Sequence, residues 1–283
     1  MTRDEIKIRA CHLSGATVPG MRARPEGVGA DMRIGIIGAG KIGGTLTRRL
    51  SALGHDVHVA NSRDPQTLAH LAAETGATAV WAADAATDAD LVIVSIPQKN
   101  VPGLADGILA KAKPGAPVVE TNNYYPRERD GRIEAIESGL PESAWVAEQL
   151  GSPVFKVFNG IFWKHLLERG EPAGAAGRIA LPVAGADGPA KDLVLRLVDD
   201  LGFDAVDAGP IEESWRQQPG TPVYGKDYDV EKTRKALAEA SRSVWPRSAP
   251  PDPARPLFLH PPVGRSSSGS VRMLWHGRRC GPC

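Results

Sequence analysis

Short apolar runs alternate along this chain with stretches of helical spacing. The run Met32–Ile37 leads into a glycine turn, and a stripe of apolar residues then predicts a helix over about 41–53. The run Leu91–Ile96 is apolar throughout, as expected of a strand that is buried on both faces of a parallel sheet. Strands that alternate with helices in this way predict the α/β fold class.

The same patterns predict the remaining elements. Strands are expected at Asp56–Ala60, Thr78–Trp81, Pro117–Thr121, Val154–Phe158, Ile179–Ala184 and Phe203–Val206. Helices are expected from Pro65 to Gly76, through Val101, Leu104 and Ile108 as far as Pro114, around Trp145–Leu150, and over Phe162–Arg169, Pro189–Leu201 and Val230–Val244. Because the alternation is less regular after residue 150, we expect a first domain over 32–150 and a smaller α/β segment over 151–246.

Charge separates the ends of the chain from its middle. Residues 32–246 hold 23 basic and 28 acidic residues, whereas residues 247–283 hold six arginines and one aspartate. That tail is rich in Pro and Ser and has little apolar surface to offset the entropy of ordering, so we expect it to be disordered. Translation out of frame is the other interpretation of the tail. Residues 1–31 are aperiodic, and we expect them to be disordered or to precede the true start at Met32.

Composition limits the kinds of binding partner and the cellular location that we expect. The net charge of +1 predicts neither a nucleic-acid nor a membrane partner, and no apolar run reaches the ~18 residues of a membrane span. The three cysteines all lie in the two end segments, which favours the cytoplasm. No helix can follow Cys280 within the four residues that end at Cys283, so we do not expect a redox motif there. No His/Cys cluster has metal-ligand spacing, and no metal site is expected.

A G-x-G-x-x-G motif lies between the first predicted strand and the first predicted helix. Its residues are Gly38, Ala39, Gly40, Lys41, Ile42 and Gly43. In dinucleotide-binding domains the first glycine permits the turn, the second lets the backbone approach a pyrophosphate, and the third lets the helix pack closely. The motif therefore predicts a Rossmann-type, doubly wound parallel sheet with phosphates at the helix N-terminus. A glycine turn that binds nothing is the alternative.

The residues after the second predicted strand indicate which dinucleotide binds. Enzymes that use NAD place an acidic residue there, about 20 residues after the glycine motif, to hold the ribose 2′-hydroxyl. This chain has Asn61, Ser62 and Arg63 instead, and Asp64 is expected to cap the following helix. A hydroxyl and a guanidinium suit a 2′-phosphate, so Ser62 and Arg63 predict NADP(H). A solvated surface role for Arg63 is the alternative.

The end of the fourth predicted strand is a candidate wall for the nicotinamide. Ligands of open α/β sheets bind outside the carboxyl ends of the strands. Pro97 ends the run Leu91–Ile96, which exposes the region of Ile96 at that edge. We therefore expect Ile96 and Pro97 to line the nicotinamide; a proline that merely ends a strand is the alternative.

Candidates to hold the second substrate follow the next two predicted strands. Asn122, Asn123 and Tyr124 come after one strand and Asn159 after the other. Asn159 and Tyr124 are the catalytic candidates, since hydride transfer needs positioning more than side-chain chemistry. Two alternatives stay open: the 122–126 segment as a plain turn, and Asn159 as the N-cap of the next helix.

These motifs together resemble a known family. The strand–GAGKIGG–helix pattern, the N-S-R after the second strand and the V-S-I-P of the fourth resemble the NADP oxidoreductases that depend on the deazaflavin coenzyme F420. Their Rossmann domain is related to pyrroline-carboxylate reductases and to the reductase domains of membrane metalloreductases. The likeness covers about 32–121 and is looser over 150–210. It implies hydride transfer between NADPH and the deazaflavin, with the positions named above holding the 2′-phosphate and lining the nicotinamide.

We therefore expect a cytoplasmic NADP-dependent oxidoreductase with F420 as its second substrate. The first alternative is an NADPH-dependent reductase of a small imine or carbonyl compound, in which Tyr124, Tyr125 or His165 would donate a proton. The second is a non-catalytic module that binds NADP and reports it to a partner. The expected partner is a small-molecule substrate, and a homodimer is left open.

Overall fold

The computed structural model describes residues 31–104 and 106–242 and has the α/β fold predicted from the sequence. The expectations for residues 1–30 and 243–283 lie outside the described residues. The strands are β1 (Arg33–Ile37), β2 (Asp56–Ala60), β3 (Thr78–Ala79), β4 (Leu91–Val94), β5 (Val118–Glu120), β6 (Phe155–Lys156), β7 (Ala180–Val183) and β8 (Asp204–Asp207). The helices are α1 (Lys41–Ala52), α2 (Ala69–Thr75), α3 (Glu134–Glu137), α4 (Glu142–Leu150), α5 (Trp163–Glu168), α6 (Pro189–Asp200) and α7 (Val230–Glu239).

Six strands form a parallel sheet in the order β3-β2-β1-β4-β5-β6. This is the strand order of a doubly wound dinucleotide-binding sheet, and the order reverses between β1 and β4. Ile37 pairs with Ala60 on one side and with Val94 on the other, so the carboxyl ends of β1, β2 and β4 meet at one edge. The Rossmann prediction is confirmed, and the reversal places a crevice beside the glycine turn.

Both faces of the sheet are covered by apolar side chains. One face packs against α1, α5 and α6, and its core includes Ile34, Leu46 and Leu197. The other packs against α4 and the segments between β3 and β5, and its core includes Val92 and Trp145. Burial on both faces explains why the strands read as continuous apolar runs rather than as alternating ones.

The smaller α/β segment consists of β7 and β8, which pair in parallel across α6, with α7 packed beside them. An isolated bridge between Lys156 and Ala184 joins this pair to β6. The predicted boundary between residues 150 and 151 stays a prediction; the main sheet takes its sixth strand from beyond that position.

The helix predicted through Val101 and Ile108 is wrong. The structure has two short 3₁₀ turns there, Gln98–Gly103 and Ile108–Lys111, although Val101 and Ile108 are buried as the pattern required. Pro102 lies inside the first turn and lacks the N–H that an α-helix would use. Gly107 then adopts a left-handed conformation with φ of 70°, which stops any continuation.

The strand predicted over Val154–Phe158 is shorter than expected, because β6 contains only Phe155 and Lys156. Phe158 has φ of +63°, a conformation that a bulky side chain rarely adopts. It turns the chain immediately after the sheet edge. Asp64 does cap the segment after β2 as predicted, since its Oδ1 accepts the Gln66 N–H at 2.8 Å.

Candidate functional site

The glycine turn between β1 and α1 leaves no room for side chains at its first and third glycines. Gly38 has φ of +112°, and a Cβ there would overlap the carbonyl oxygen of Ser95. A Cβ on Gly43 would overlap the carbonyl oxygen of Gly38, so this glycine allows α1 to pack against the turn. At Gly40, by contrast, a Cβ would meet nothing within 4 Å. Gly40 therefore faces open space that the backbone of a phosphate-binding loop needs.

The start of α1 presents a positive end to that space. Lys41 is its first residue and is exposed, whereas Ala39 and Ile42 pack against the core. The Lys41 Nζ lies 5.6 Å from the ring centroid of Trp163, which brings the start of α5 beside the loop. The first backbone N–H groups of a helix have no acceptor within it and attract anions. The geometry thus fits a pyrophosphate.

The segment after β2 is held by Asn61. Its Oδ1 accepts the backbone N–H of Arg63 at 2.8 Å, and its Nδ2 donates to Thr67 Oγ1 at 2.9 Å. The side chains of Ser62 and Arg63 are exposed. No acidic residue occupies the first three positions after β2, so nothing there would repel a 2′-phosphate. These residues fit the adenosine end of NADP rather than that of NAD.

Ile96 and Pro97 lie at the crevice beside the glycine turn. Ile96 Cγ2 is 2.8 Å from where a Cβ of Gly38 would stand, so its side chain borders the turn directly. The Ile96 backbone N–H donates to Asn122 Oδ1 at 3.2 Å. This bond connects the predicted nicotinamide wall with the loop after β5, and it gives Asn122 a structural task that the sequence did not indicate.

Asn123 and Asn159, predicted from separate strands, are brought together at the sheet edge. Asn159 Nδ2 donates to Asn123 Oδ1 at 3.1 Å and to the Gln217 carbonyl at 2.8 Å, and Asn123 Nδ2 donates to the Asn159 carbonyl at 2.9 Å. The N-cap alternative for Asn159 is wrong, because α5 begins at Trp163 with Phe162 as its cap. The turn at Phe158 instead aims Asn159 across the edge toward Gln217.

A cavity opens beside this amide cluster. Its lining includes residues after β6, residues of β7 and residues of the loop before α7: Phe158, Asn159, Gly160, Ile161, Ala180, Leu181, Pro182, Gln217, Val223, Tyr224 and Lys226. Its walls are mostly apolar, and Asn159, Gln217 and Tyr224 are among the polar residues that line it.

Tyr124 lies away from this cavity. It is buried in the core on the opposite face of the sheet, where its hydroxyl donates to Glu137 Oε1 at 2.9 Å and accepts the Ile133 N–H at 2.9 Å. Burial, together with the nearby Glu137 carboxylate, raises the pKa of Tyr124 to about 12. Both hydrogen-bonding functions of the hydroxyl are used, so the geometry gives it a structural role.

The next residue, Tyr125, does not line the cavity but contacts a residue that does. Its hydroxyl makes a short hydrogen bond with the hydroxyl of Tyr224, which lines the cavity. Burial raises the pKa of both phenols. His165, the other predicted proton donor, lies elsewhere: its Nδ1 is 2.7 Å from Asp227 Oδ2 on the outer side of α5.

Sequence reasoning missed three buried ionisable residues near the same edge. Glu120 ends β5, Lys156 ends β6 and Glu142 begins α4, and all three are fully buried. One signal was available: Lys156 interrupts the apolar run Val154–Phe158, and Glu120 interrupts the apolar run of β5. A charged residue inside a buried strand requires a partner of opposite charge, so Lys156 indicated an acidic partner and Glu120 a basic one.

No described helix combines the length and the apolar character that crossing a bilayer requires. Within 31–104 and 106–242, no group of three or more His, Cys, Asp or Glu side chains is arranged to hold a metal ion.

Comparison with known proteins agrees with this geometry. Residues 33–124 match the family model "NADP oxidoreductase coenzyme F420-dependent", which confirms the family resemblance over that segment. Protein YjhV of Escherichia coli K12 is 44% identical over 71 residues, which are 25% of this chain and 52% of that protein. The chain thus spans about half the length of this curated relative.

Solved structures share the fold over a larger part of the chain. Hypothetical protein SMa0349 from Sinorhizobium meliloti aligns with a TM-score of 0.59 and 28% identity, over 70% of this chain and 95% of its own. A protein from Arthrobacter sp. FB24, with a proposed F420-dependent NADP-reductase activity, aligns with a TM-score of 0.54 and 22% identity, over 65% and 87% of the two chains. At that identity the second likeness concerns the fold alone. The chain therefore matches the family model over residues 33–124 and shares its fold with these solved structures.

Proposed function

Because residues 33–124 match the F420-dependent NADP oxidoreductases, we propose that this chain transfers hydride between NADPH and the deazaflavin coenzyme F420. The observation that carries the proposal is the combination of an open phosphate loop at Gly40 with an acid-free end of β2 that exposes Ser62 and Arg63. When bound, NADPH supplies the hydride, and the protein supplies position.

Each part of the site has a task in this proposal. The amides at the start of α1 bind the pyrophosphate, and Ser62 and Arg63 bind the 2′-phosphate through charge-assisted hydrogen bonds. Ile96 and Pro97 hold one face of the nicotinamide. Asn159, hydrogen-bonded to Asn123 and to the Gln217 carbonyl, lines the neighbouring cavity, to which we assign the second substrate.

The tyrosine pair beside the cavity favours a second candidate, reduction of a small imine or carbonyl compound. Such a reaction needs a proton donor near the carbon that receives hydride. Tyr224 lines the cavity and its hydroxyl is hydrogen-bonded to that of Tyr125, which supports a phenol as the donor in this second candidate. A cytoplasmic location and a small-molecule partner complete the proposal, and the homodimer stays a prediction.

Nucleotide binding tests the proposal first. NADPH and NADH are titrated into the full-length chain, with quenching of tryptophan fluorescence as the signal; Trp163 lies beside Lys41 at the loop. We expect NADPH to bind at least about tenfold more tightly than NADH, a difference of ~1.4 kcal/mol. Arg63→Ala should abolish that preference. Arg196→Ala, an exposed arginine on α6, is the matched control and should retain it.

The acceptor is tested on the same samples. With NADPH bound, oxidised F420 is added and its absorbance band is followed. Loss of the band supports the deazaflavin as second substrate. Reduction of imines or carbonyls without change in the F420 band favours the second candidate, and tight NADPH binding without any turnover favours the sensing module. If neither nucleotide binds, the proposal fails.

A further inference from the structure

The main sheet buries an ion pair between its last two strands. Glu120 ends β5 and Lys156 ends β6, both residues are 0% exposed, and Lys156 Nζ lies 3.0 Å from Glu120 Oε1. The Ser143 hydroxyl donates to the same carboxylate oxygen. Ions are costly to take out of water, and well-packed apolar side chains often serve stability as well as a buried pair does. The pair therefore calls for an explanation beyond stability.

Glu142 lies beside this pair without sharing its charge. Its Oε2 is 3.8 Å from Lys156 Nζ and the residue is 1% exposed, whereas Glu148 on the same helix is exposed. Burial raises the pKa of Glu142 to about 8, although the Lys156 ammonium opposes the rise. Glu142 therefore keeps its proton at neutral pH, and Lys156 is left as the partner of Glu120.

The ion pair holds the backbone of Asn122 from both sides. The Asn122 N–H donates to Glu120 Oε2 at 2.7 Å, and the Asn122 carbonyl accepts from Lys156 Nζ at 2.9 Å. The residue is 3% exposed, and its Oδ1 accepts the Ile96 N–H at 3.2 Å. Because a backbone N–H can only donate, this bond fixes which end of the Asn122 amide faces Ile96. One side chain thus connects the ion pair with the proposed nicotinamide wall.

The backbone of Lys156 supports the acceptor side as well. Its carbonyl accepts from Gln217 Nε2 at 3.1 Å, and the same amide nitrogen donates to Asn159 Oδ1 at 3.2 Å. Asn159 and Gln217 line the cavity to which we assign the second substrate. Hydrogen bonds therefore connect Lys156 with the wall at Ile96 through its ammonium and with the cavity through its carbonyl.

We propose that the Glu120–Lys156 ion pair, acting through Asn122, positions Ile96 and with it the nicotinamide at a fixed distance from the acceptor cavity. The inference rests on the proposed function, and it makes Asn122 a positioning residue rather than a ligand of the second substrate. Hydride transfer requires close approach of the two reacting carbons, and a misplacement of about 1 Å can cost roughly 10²-fold in rate. Charge-assisted hydrogen bonds are shorter and stronger than neutral ones, which is a physical reason for ions at this point.

Hydrogen exchange of the full-length chain without nucleotide tests the link to Ile96. Asn122→Leu keeps the approximate size of the side chain and removes the acceptor. We expect the Ile96 amide, relative to that of Ile93 in β4, to exchange about tenfold faster, as measured by NMR with isotope-labelled isoleucine. Asn100→Ala, an exposed change in the turn after Pro97, is the matched control and should leave this ratio unchanged. An unchanged ratio in Asn122→Leu would overturn the inference.

NADPH tests the positioning role. The phosphate contacts are untouched in Asn122→Leu, so its dissociation constant for NADPH should stay within about twofold of the wild type. The fluorescence of the bound reduced nicotinamide should fall, because the ring is held less firmly. With the acceptor that the earlier experiment identifies, single-turnover hydride transfer should slow by about 10-fold to 100-fold. Asn100→Ala should change none of these quantities.

The outcomes separate this inference from the proposed function. A merely structural role for Asn122 would lower the stability of the fold and leave the emission of bound NADPH as it is in the wild type. That unchanged emission, with NADPH bound normally, would overturn the positioning role alone. If the wild type binds neither nucleotide, the proposed function fails and the positioning role fails with it.

Discussion

The two ends of the crevice are built in opposite ways. On the nucleotide side, the loop after β1 and the segment after β2 are exposed, local in sequence and largely made of backbone groups. On the acceptor side, side chains from β5, β6, α4 and the loop before α7 meet in the interior, with ions among them. The first side recognises a ligand common to many enzymes, whereas the second is where a particular acceptor would be chosen.

The difference also concerns stability. Removing an exposed side chain from the nucleotide side changes what binds there and little else. Removing Glu120 or Lys156 leaves a buried group without its partner of opposite charge. Such a change should lower the stability of the fold, so an effect on binding is harder to attribute to the site alone. In the same unfolding experiment, substitutions in the buried cluster should therefore lower the free energy of unfolding more than exposed substitutions on the nucleotide side.

The largest expected effect is that of Lys156→Met. The change leaves the Glu120 carboxylate buried without its cation, which should lower the free energy of unfolding by about 3–5 kcal/mol. Urea denaturation followed by fluorescence measures it. The double variant Lys156→Met with Glu120→Gln should lose less than the single one, because no charge is then stranded. On the nucleotide side, Arg63→Ala should stay within about 0.5 kcal/mol of the wild type. Equal losses of unfolding free energy for Lys156→Met and Arg63→Ala would contradict this difference between the two sides.

A smaller effect is expected in the pH dependence of stability at Glu142. The pKa of Glu142 is raised from 4.5 to about 8 in the folded protein, so between these values the folded chain holds a proton that the unfolded chain has released. The contribution of Glu142 to stability must therefore decline as pH rises through that window and level off above about pH 8. A tenfold difference in proton affinity between the folded and the unfolded chain corresponds to about 1.4 kcal/mol of stability.

Glu142→Gln removes this titration. As pH rises from 4.5 to about 8, the free energy of unfolding of Glu142→Gln should therefore increase relative to that of the wild type. Urea denaturation across that range measures the difference, with Glu148→Gln as the control. A constant difference across the range would mean that Glu142 is ionised throughout.

The glycine turn allows a sharper comparison within one motif. Gly43→Ala places a Cβ against the Gly38 carbonyl, so we expect a loss of roughly 1–3 kcal/mol in the free energy of unfolding. Gly40→Ala meets open space and has φ of −72°, so stability should change by no more than about 0.5 kcal/mol. Both should weaken NADPH binding, the second because its Cβ enters the space of the pyrophosphate. Unchanged NADPH binding in Gly40→Ala would remove that loop from the site.

The nucleotide side could be predicted from sequence because its information is local. β1, the turn, α1 and β2 lie within one residue of the bounds that the apolar pattern and the glycine spacing predicted, since the burial of each element is visible in its own sequence. The acceptor side could be predicted only in part. Asn123 and Asn159 followed from the rule that parallel strands end at one edge, but their partner Gln217 lies 58 residues beyond Asn159 on a 3₁₀ segment.

The errors have the same origin. Tyr124 and Tyr125 are adjacent in an extended loop, so their side chains point in different directions, and the sequence does not indicate which one contacts Tyr224. The helix expected through Val101 had the right apolar spacing but the wrong backbone, because Pro102 and Gly107 overrode it. The cluster of Glu120, Glu142 and Lys156 required three separate segments to be placed in space before its charges could be counted.

The smallest expected effect concerns Asn61, which organises the loop after β2. Asn61→Ala removes the bonds to the Arg63 N–H and to Thr67, so Arg63 is less ordered before NADPH binds, and affinity should fall by about threefold to tenfold. Asn61→Asp retains an acceptor for the Arg63 N–H but places a carboxylate where enzymes that use NAD have one. We expect it to weaken NADPH binding further and to strengthen NADH binding, as measured by the same fluorescence titration. If Asn61→Asp and Asn61→Ala shift the two nucleotides equally, the end of β2 does not select the cofactor. A selective shift toward NADH would mean that one position after β2 sets cofactor choice on the nucleotide side, whereas the proposed acceptor side is built from several buried residues.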